Sequence, residues 1–309
     1  MAIDESQDMS CGSGRSDWPS FEADKELKTS QAGRFYTVEE IRNRLSISTY
    51  VFWAYRPVGP NVLRELAEHG IGKIELAESR EQFDTADSGS MKLFGEICRS
   101  CGIEVTAYHA HQTFFFDLES EAQRIERVDF CRRQIDTLLD LGGVVWGSHA
   151  QTVNRMVIKC YEDLARHVEG TGAVITVENF PRPGQMVEDR MTFLDRMDHP
   201  QVGLILDIGH VRNSDGLNQM TLAGGPTEVL QMCGSRLRHV HLHGFIETDH
   251  YPPLVEGDRI QWVELFRVLR AVGYSGAINF EPSGPPRHEN TLEAVGAVPE
   301  RIVRLEAES

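Results

Sequence analysis

Ala173-Val-Ile-Thr-Val-Glu178 is one of four stretches in which an apolar run stops at a side chain that binds metal ions. The other three are Val202-Gly-Leu-Ile-Leu-Asp207, Leu237-Arg-His-Val-His241 and Ala277-Ile-Asn-Phe-Glu281. Apolar runs of this length are typical of parallel strands that are buried on both faces. In a parallel α/β barrel the carboxyl ends of all strands open onto one rim, so side chains distant in sequence converge there. We therefore expect the four terminal side chains to meet at one point.

Strand and helix signals alternate over the rest of the chain and give eight βα units. The four earlier strands are predicted at about Thr49–Trp53, Lys73–Leu76, Ile103–Tyr108 and Val144–Trp146. A helical pattern follows each strand, and the last helix is predicted over about Thr291–Glu306. Eight such units predict an α/β fold, a (β/α)8 TIM barrel. An open doubly wound sheet is the alternative, weakened because no G-x-G-x-x-G follows the first strand.

The barrel is expected to form one domain over residues 46–309. Residues 1–45 are expected to form an N-terminal arm and a lead-in helix. The arm is polar, lacks a sustained hydrophobic period and carries the aromatic side chains Trp18 and Phe21. We expect it to be flexible or to dock on a neighbouring subunit.

The charge balance argues against a partner that is a nucleic acid or an anionic membrane. The 309 residues carry a net charge of −16, with a pI near 5.2. A protein that binds duplex DNA needs a basic surface, so we expect neither a nucleic-acid partner nor an anionic membrane surface. The sequence has no apolar run of about 20 residues, so we expect no membrane span. It begins without a basic region followed by an apolar one, so we expect no secretory signal.

The six cysteines are scattered, which fits a reducing, cytoplasmic location. Cys98 and Cys101 form a C-x-x-C near the end of a predicted helix. We interpret them as half-buried thiols, with a redox pair as the alternative.

Three carboxylates and one imidazole form a hard, oxygen-rich set of metal ligands. Glu178, Asp207, His241 and Glu281 are thus expected to hold one divalent metal ion. The set favours Mn²⁺, with Mg²⁺ or Co²⁺ as alternatives and Zn²⁺ less favoured. Four protein ligands leave two octahedral positions for adjacent oxygens of a hydroxy-ketone or diol. Taken singly, each of these side chains is also explained as a helix cap, a loop hydrogen bonder or a structural histidine.

The ordered set Glu178, Asp207-x-x-His210, His241 and Glu281 is similar to that of the xylose-isomerase-like barrel superfamily. That superfamily includes sugar-phosphate isomerases and epimerases, inosose dehydratases and apurinic endonucleases, and the resemblance covers roughly Ser46–Glu306. It implies that the four ligands hold the metal, that His210 contacts substrate oxygens, and that the protein forms dimers or tetramers.

Two departures from the family pattern bear on the reaction. Leu242-His243-Gly244 stands where many members carry x-Lys-Asp after the strand-seven histidine. Asn179-Phe-Pro-Arg182 follows the strand-five ligand, with no glutamate before Glu188, unlike the ketose 3-epimerases. Both departures disfavour a simple free-ketose epimerase.

Further side chains are expected at the rim that carries the metal. Imidazole titrates near neutrality, so His149 is the preferred catalytic acid or base, beside Glu178 and Glu281. His109 and His111 alternate along strand three, so only one of them points inward. The aromatic side chains Trp53, Tyr108 and Trp146 are candidates for an apolar wall. The expected substrate-binding residues are His210, His109, His243, Glu75, Trp146 and Arg182.

These features support several hypotheses of function. The first is a sugar or polyol isomerase or epimerase that works through a metal-stabilised enediolate. The second is a lyase on a keto-sugar, either an inosose-type dehydratase or a C-glycoside-cleaving subunit with a small second subunit. An apurinic endonuclease and a non-catalytic binding protein are further alternatives. In the first two cases the partner is a small sugar or keto-sugar.

Overall fold

The carboxyl ends of eight parallel strands surround the candidate functional site. The computed structural model describes residues 34–53, 56–78, 83, 85, 87–110, 118–150, 153–284 and 288–309. Trp18, Phe21 and His111 lie outside the described residues. The strands are β1 Leu45–Ser48, β2 Lys73–Ala77, β3 Glu104–His109, β4 Val145–Ser148, β5 Val174–Glu178, β6 Val202–Asp207, β7 Leu237–His241 and β8 Ile278–Phe280.

The strands pair in chain order from β1 to β7, and β8 pairs with β1. The last seam is closed by a parallel bridge between Leu242 and Phe280. There the Leu242 N–H donates to the Asn279 carbonyl at 2.9 Å, and the Glu281 N–H donates to the Leu242 carbonyl at 2.8 Å. The predicted (β/α)8 TIM barrel is thereby confirmed.

Helices cover the barrel from outside, and Phe35–Ser309 forms one compact unit. None of the described helices is long and apolar enough to cross a membrane. The helices are α1 Val38–Arg42, α2 Pro60–Glu68, α3 Ser88–Ser100, α4 Glu121–Asp140, α5 Arg155–His167, α6 Val187–Met197, α7 Gly225–Cys233, α8 Trp262–Ala271, α9 Thr291–Gly296 and α10 Val298–Ala307.

The first strand was predicted four residues too late. Thr49–Phe52 is a 3₁₀ helix, and β1 precedes it as Leu45-Ser-Ile-Ser. The alternating serines resemble an exposed face, but Ser46 and Ser48 are fully buried. The Ser46 hydroxyl donates to Asn279 Oδ1 at 2.9 Å, so the barrel interior is polar at this level.

The last predicted helix is also divided in two. α9 ends at Gly296 and α10 begins at Val298. Pro299 lies in the first turn of α10, where its missing N–H costs no hydrogen bond. A continuous helix would place this proline in its interior, where the ring opposes the preceding turn.

Candidate metal centre

The four predicted ligands converge at the carboxyl end of the barrel. Glu178 ends β5, Asp207 ends β6, His241 ends β7, and Glu281 follows β8. Each offers a ligand atom, and these atoms all lie within 4.8 Å of one another. His241 Nδ1 lies 3.3 Å from Glu178 Oε1 and 3.2 Å from Glu281 Oε2. Neighbouring donors of an octahedral ion with bonds of about 2.1 Å are roughly 3 Å apart, so this spacing fits one small divalent cation.

Two atoms of this quartet are buried without a hydrogen-bond partner, Asp207 Oδ2 and His241 Nδ1. His241 Nε2 lies 3.1 Å from Glu75 Oε2 and donates its proton there. Nδ1 faces the carboxylates of Glu178 and Glu281. Burial opposes protonation of the ring, but the carboxylates of Glu281, Glu75 and Glu178 hold the pKa of His241 well above its ordinary value. Positive charge is therefore favoured at this point, whether a second ring proton or a bound cation supplies it. The donor set therefore fits a divalent metal ion held by the quartet.

The second oxygen of Asp207 is held by its own loop. Asp207 Oδ1 accepts from the N–H groups of Gly209 and His210, at 2.8 and 2.9 Å. It also lies 3.1 Å from His243 Nε2. The N–H of His250 donates to His243 Nδ1 at 2.9 Å, which leaves the proton on Nε2 for Asp207. His243 is fully buried against Asp207 and is not among the residues that line the cavity over the quartet. Its contact with substrate stays a prediction.

Glu75 is likewise placed below the metal centre, not at its open side. It is 1% exposed, and its carboxylate lies 2.9 Å from His239 Nε2 and 3.1 Å from His241 Nε2. Asn279 Nδ2 donates to its other oxygen at 3.4 Å. Glu75 therefore contacts the ring of His241 from inside the barrel and does not line the cavity over the quartet, so its contact with substrate stays a prediction.

A cavity of about 440 Å³ opens over the quartet and is bounded by both polar and apolar side chains. His109, His149 and His210 line it together with Glu178 and Glu281. The structure thus brings together all three predicted catalytic residues and two of the predicted substrate-binding residues. A cavity of this size is typical of small-molecule sites.

The imidazoles of His109 and His149 both lie close to the same oxygen of Glu178. Oε2 lies 2.6 Å from His109 Nε2 and 3.2 Å from His149 Nε2. Burial opposes protonation of His109, but the Glu178 carboxylate holds its pKa above the ordinary value. Burial lowers the pKa of His149 to about 4, so this imidazole is neutral at neutral pH. A neutral imidazole at the wall of the cavity has a lone pair that accepts a proton.

His210 faces the cavity from the loop after β6. Its Nδ1 is buried without a hydrogen bond and lies 3.4 Å from Asp207 Oδ2. Its Nε2 lies 3.6 Å from Asp249 Oδ2, and its ring centroid is 4.8 Å from that of Phe180. The imidazole is therefore held at the cavity wall by contacts on several sides.

Trp146 and Arg182 do not line the cavity, contrary to prediction. Trp146 is fully buried and donates from Nε1 to Gln134 Oε1 of α4 at 3.1 Å. Its indole therefore points outward into the helix layer, as does Tyr108, which also contacts Gln134. The exposed Arg182 guanidinium lies 5.0 Å from the ring centroid of Phe180, outside the cavity lining.

The cavity is also lined by residues that the sequence does not predict at the site. Tyr50 lies in the 3₁₀ helix that replaces the predicted first strand, and Phe180 lies two residues after Glu178. Asp249 and His250 belong to the long loop after β7. That loop is ordered by the carboxylate of Asp258, which accepts from four groups. They are the N–H groups of Phe245, Leu254 and Ile260, and Trp262 Nε1 at 2.7 Å.

Two solved sugar epimerases have a similar fold. The D-psicose 3-epimerase of Clostridium cellulolyticum H10, crystallised with D-tagatose, gives a TM-score of 0.67 over 84% of this chain and 98% of its own. The 3-keto-D-glucoside 4-epimerase of E. coli gives 0.65 over 84% and 98%. Each is 17% identical to this chain, so the likeness is one of fold.

Among curated proteins, the chain matches the uncharacterized protein MJ1311 of Methanocaldococcus jannaschii. The two are 26% identical over 147 residues, which is 44% of this chain and 46% of that protein. The chain thus matches about half the length of this curated relative.

A match to a family model covers more of the chain and shows the family. A family model described as the xylose isomerase-like TIM barrel matches residues 63–300, which is well over half of the chain. All four predicted ligands lie within this match, and the strand order and closure agree with it. The resemblance inferred from the sequence is therefore confirmed: this chain belongs to the xylose isomerase-like TIM barrel family.

Proposed function

We propose that this protein is a divalent-metal-dependent isomerase or epimerase of a sugar or polyol. The observation that carries the proposal is the convergence of Glu178, Asp207, His241 and Glu281 beneath a sugar-sized cavity. Two similar solved structures support it, since both are sugar epimerases. The lyase and apurinic-endonuclease alternatives gain no comparable support from these structures.

We propose Mn²⁺ as the ion, because three carboxylates and one imidazole suit Mn²⁺ better than they suit Zn²⁺. Structural zinc prefers closed sites made of Cys and His. When bound, such an ion acts as a Lewis acid that stabilises negative charge developing on two adjacent substrate oxygens. Glu75 and His243 orient two of the ligands, His241 and Asp207. Their contacts support a rigid site, which favours charge stabilisation without reorganisation.

The chain supplies the groups that move the proton. His149 takes a proton from the carbon next to the substrate carbonyl, or Glu178 or Glu281 does so in its place. Return of the proton to the neighbouring carbon gives isomerisation. Return to the opposite face of the same carbon gives epimerisation. His109 and His210 line the same cavity and are proposed to hold substrate hydroxyl groups.

We also propose that the protein is a cytoplasmic homo-oligomer, with or without a small second subunit, and that its substrate is a small sugar or keto-sugar.

The proposed reaction is tested by incubating the chelated and the Mn²⁺-reloaded protein with ketoses, inososes and keto-glycosides in D₂O. We expect NMR to show deuterium entering next to the carbonyl only in the reloaded sample. Replacement of Glu178 by Gln should abolish this exchange, whereas the exposed control Glu104→Gln should retain it. Exchange that survives chelation would refute the metal requirement.

A further inference from the structure

The mouth of the cavity has aromatic side chains on opposite sides. Tyr50 and Trp53 follow β1, whereas Phe180 and Pro181 follow β5, and all four line the cavity. In a barrel of eight strands paired in chain order, β1 and β5 lie across the barrel from each other. The apolar groups therefore flank the opening, and the carboxylates and imidazoles of the metal centre lie between them.

The β1 side offers the larger aromatic surface. The rings of Tyr50 and Trp53 are stacked, with centroids 6.1 Å apart and an angle of 18° between their planes. Trp53 nevertheless remains 53% exposed. An exposed indole beside a deep polar pocket is a typical contact for a flat apolar group or a sugar face. The four proposed ligands are buried, whereas Trp53 is half exposed, so the stack lies nearer to solvent than the quartet and would contact a second part of the substrate.

Apart from the histidines, whose charge depends on protonation, the charged side chains that line the cavity are all acidic among the described residues. Glu78, Glu178, Asp249 and Glu281 line it, and no Lys or Arg of the described chain does. The three carboxylates of the quartet already exceed the charge of one divalent ion. A phosphate or carboxylate on the substrate would therefore be repelled.

We propose that the substrate is an uncharged keto-glycoside, whose keto-sugar enters the metal centre and whose aglycone or second ring rests on Tyr50 and Trp53. This inference rests on the proposed function and narrows its substrate class. The sugar supplies the adjacent oxygens and the carbon that exchanges its proton. The group on the anomeric oxygen extends toward the mouth, where it gains the aromatic contact. A free sugar lacks that contact, and a sugar phosphate brings a charge that the lining opposes.

The test compares three substrates on the Mn²⁺-loaded protein: 3-keto-glucose, its 4-nitrophenyl β-glycoside and its 6-phosphate. We expect the aryl glycoside to have the highest kcat/KM and the phosphate the lowest. Trp53→Ala should lower kcat/KM for the aryl glycoside about tenfold, mainly by raising KM, and should affect the free sugar much less. Trp53→Phe should restore most of the loss, because it retains an aromatic face. Preference for the phosphate, or an equal effect of Trp53→Ala on both neutral substrates, would overturn the inference.

A binding measurement separates this inference from the proposed function. 4-Nitrophenyl β-glucoside, which has no carbonyl and does not react, is titrated calorimetrically into the Mn²⁺-loaded protein. Binding that weakens about tenfold in Trp53→Ala supports the glycoside site even if none of the keto-sugars exchanges deuterium, a result that would refute only the proposed reaction. Absence of Trp53-dependent binding overturns the inference, whatever the activity.

Discussion

Glu75 Oε2 lies 3.1 Å from His241 Nε2, deep inside the barrel, whereas the opposite ring nitrogen of His241 faces two acidic ligands. The contact fixes which nitrogen carries the proton and turns the lone pair of the other toward the metal centre. Carboxylates that orient ligating histidines in this way commonly contribute 10- to 100-fold to metal affinity.

We therefore expect Glu75→Gln to weaken Mn²⁺ binding about tenfold while the fold is retained. The amide still accepts a hydrogen bond from His241, but it loses the negative charge that strengthens the ligand. Titration calorimetry measures the affinity, and circular dichroism checks the fold. The exposed Glu104, on the neighbouring strand β3, provides the matched control Glu104→Gln. Equal affinities for the two variants would contradict the role given to Glu75.

Removal of the metal should lower the stability of the folded protein. An ion that binds only the folded state stabilises it by about 2.7 kcal/mol at a concentration 100 times its Kd. We expect Mn²⁺ to raise the melting temperature of the chelated protein by several degrees and to have no such effect on Asp207→Asn. Differential scanning calorimetry measures both, with the exposed Asp215→Asn as the control. A similar rise in Asp207→Asn would show that the ion binds elsewhere.

Gly209 should not tolerate a side chain. A Cβ at this position would lie 1.9 Å from Cε1 of His243 and 2.6 Å from Cβ of Asp249. We expect Gly209→Ala to displace His243 from Asp207, to reduce Mn²⁺ binding more than tenfold and to cost about 1–3 kcal/mol of folding free energy. Gly72→Ala is the control, because a Cβ there meets nothing within 4 Å. Denaturant unfolding measures the free energy of unfolding, and metal titration measures the affinity for Mn²⁺. Equal values for Gly209→Ala and Gly72→Ala would contradict the close packing around Gly209.

The C-x-x-C at Cys98 is expected to be unreactive. Burial raises the pKa of the Cys98 thiol to about 12, so it stays protonated up to strongly alkaline pH. Since the thiolate is the nucleophile, iodoacetamide at pH 8 should leave Cys98 unlabelled in the native protein and label it fully in guanidinium chloride. Mass spectrometry of the Cys98 peptide measures this. Rapid labelling of the native protein would revive the redox-pair alternative.

The convergence of the four proposed ligands was predictable because each one ends an apolar run, and strand geometry then dictates where it points. This holds for Glu178, Asp207, His241 and Glu281. The depth of Glu75 was not predictable, because alternation along a strand does not distinguish the interior of the barrel from its rim. The direction of Trp146 was not predictable for a related reason, since a residue buried in β4 faces either the lumen or the helix layer. Asp249 and His250 depend on a loop folded around Asp258, and such hydrogen bonds leave no periodic signal.

The bridge between Leu242 and Phe280 has a thermodynamic consequence. Its hydrogen bonds use backbone groups of Leu242, next to His241, and of Glu281 itself. Separation of β7 from β8 would move one proposed ligand away from the others, so an ion held by all four would oppose it. We therefore expect ion binding and closure of the barrel to be thermodynamically coupled, and hydrogen exchange along this seam should slow when the ion binds.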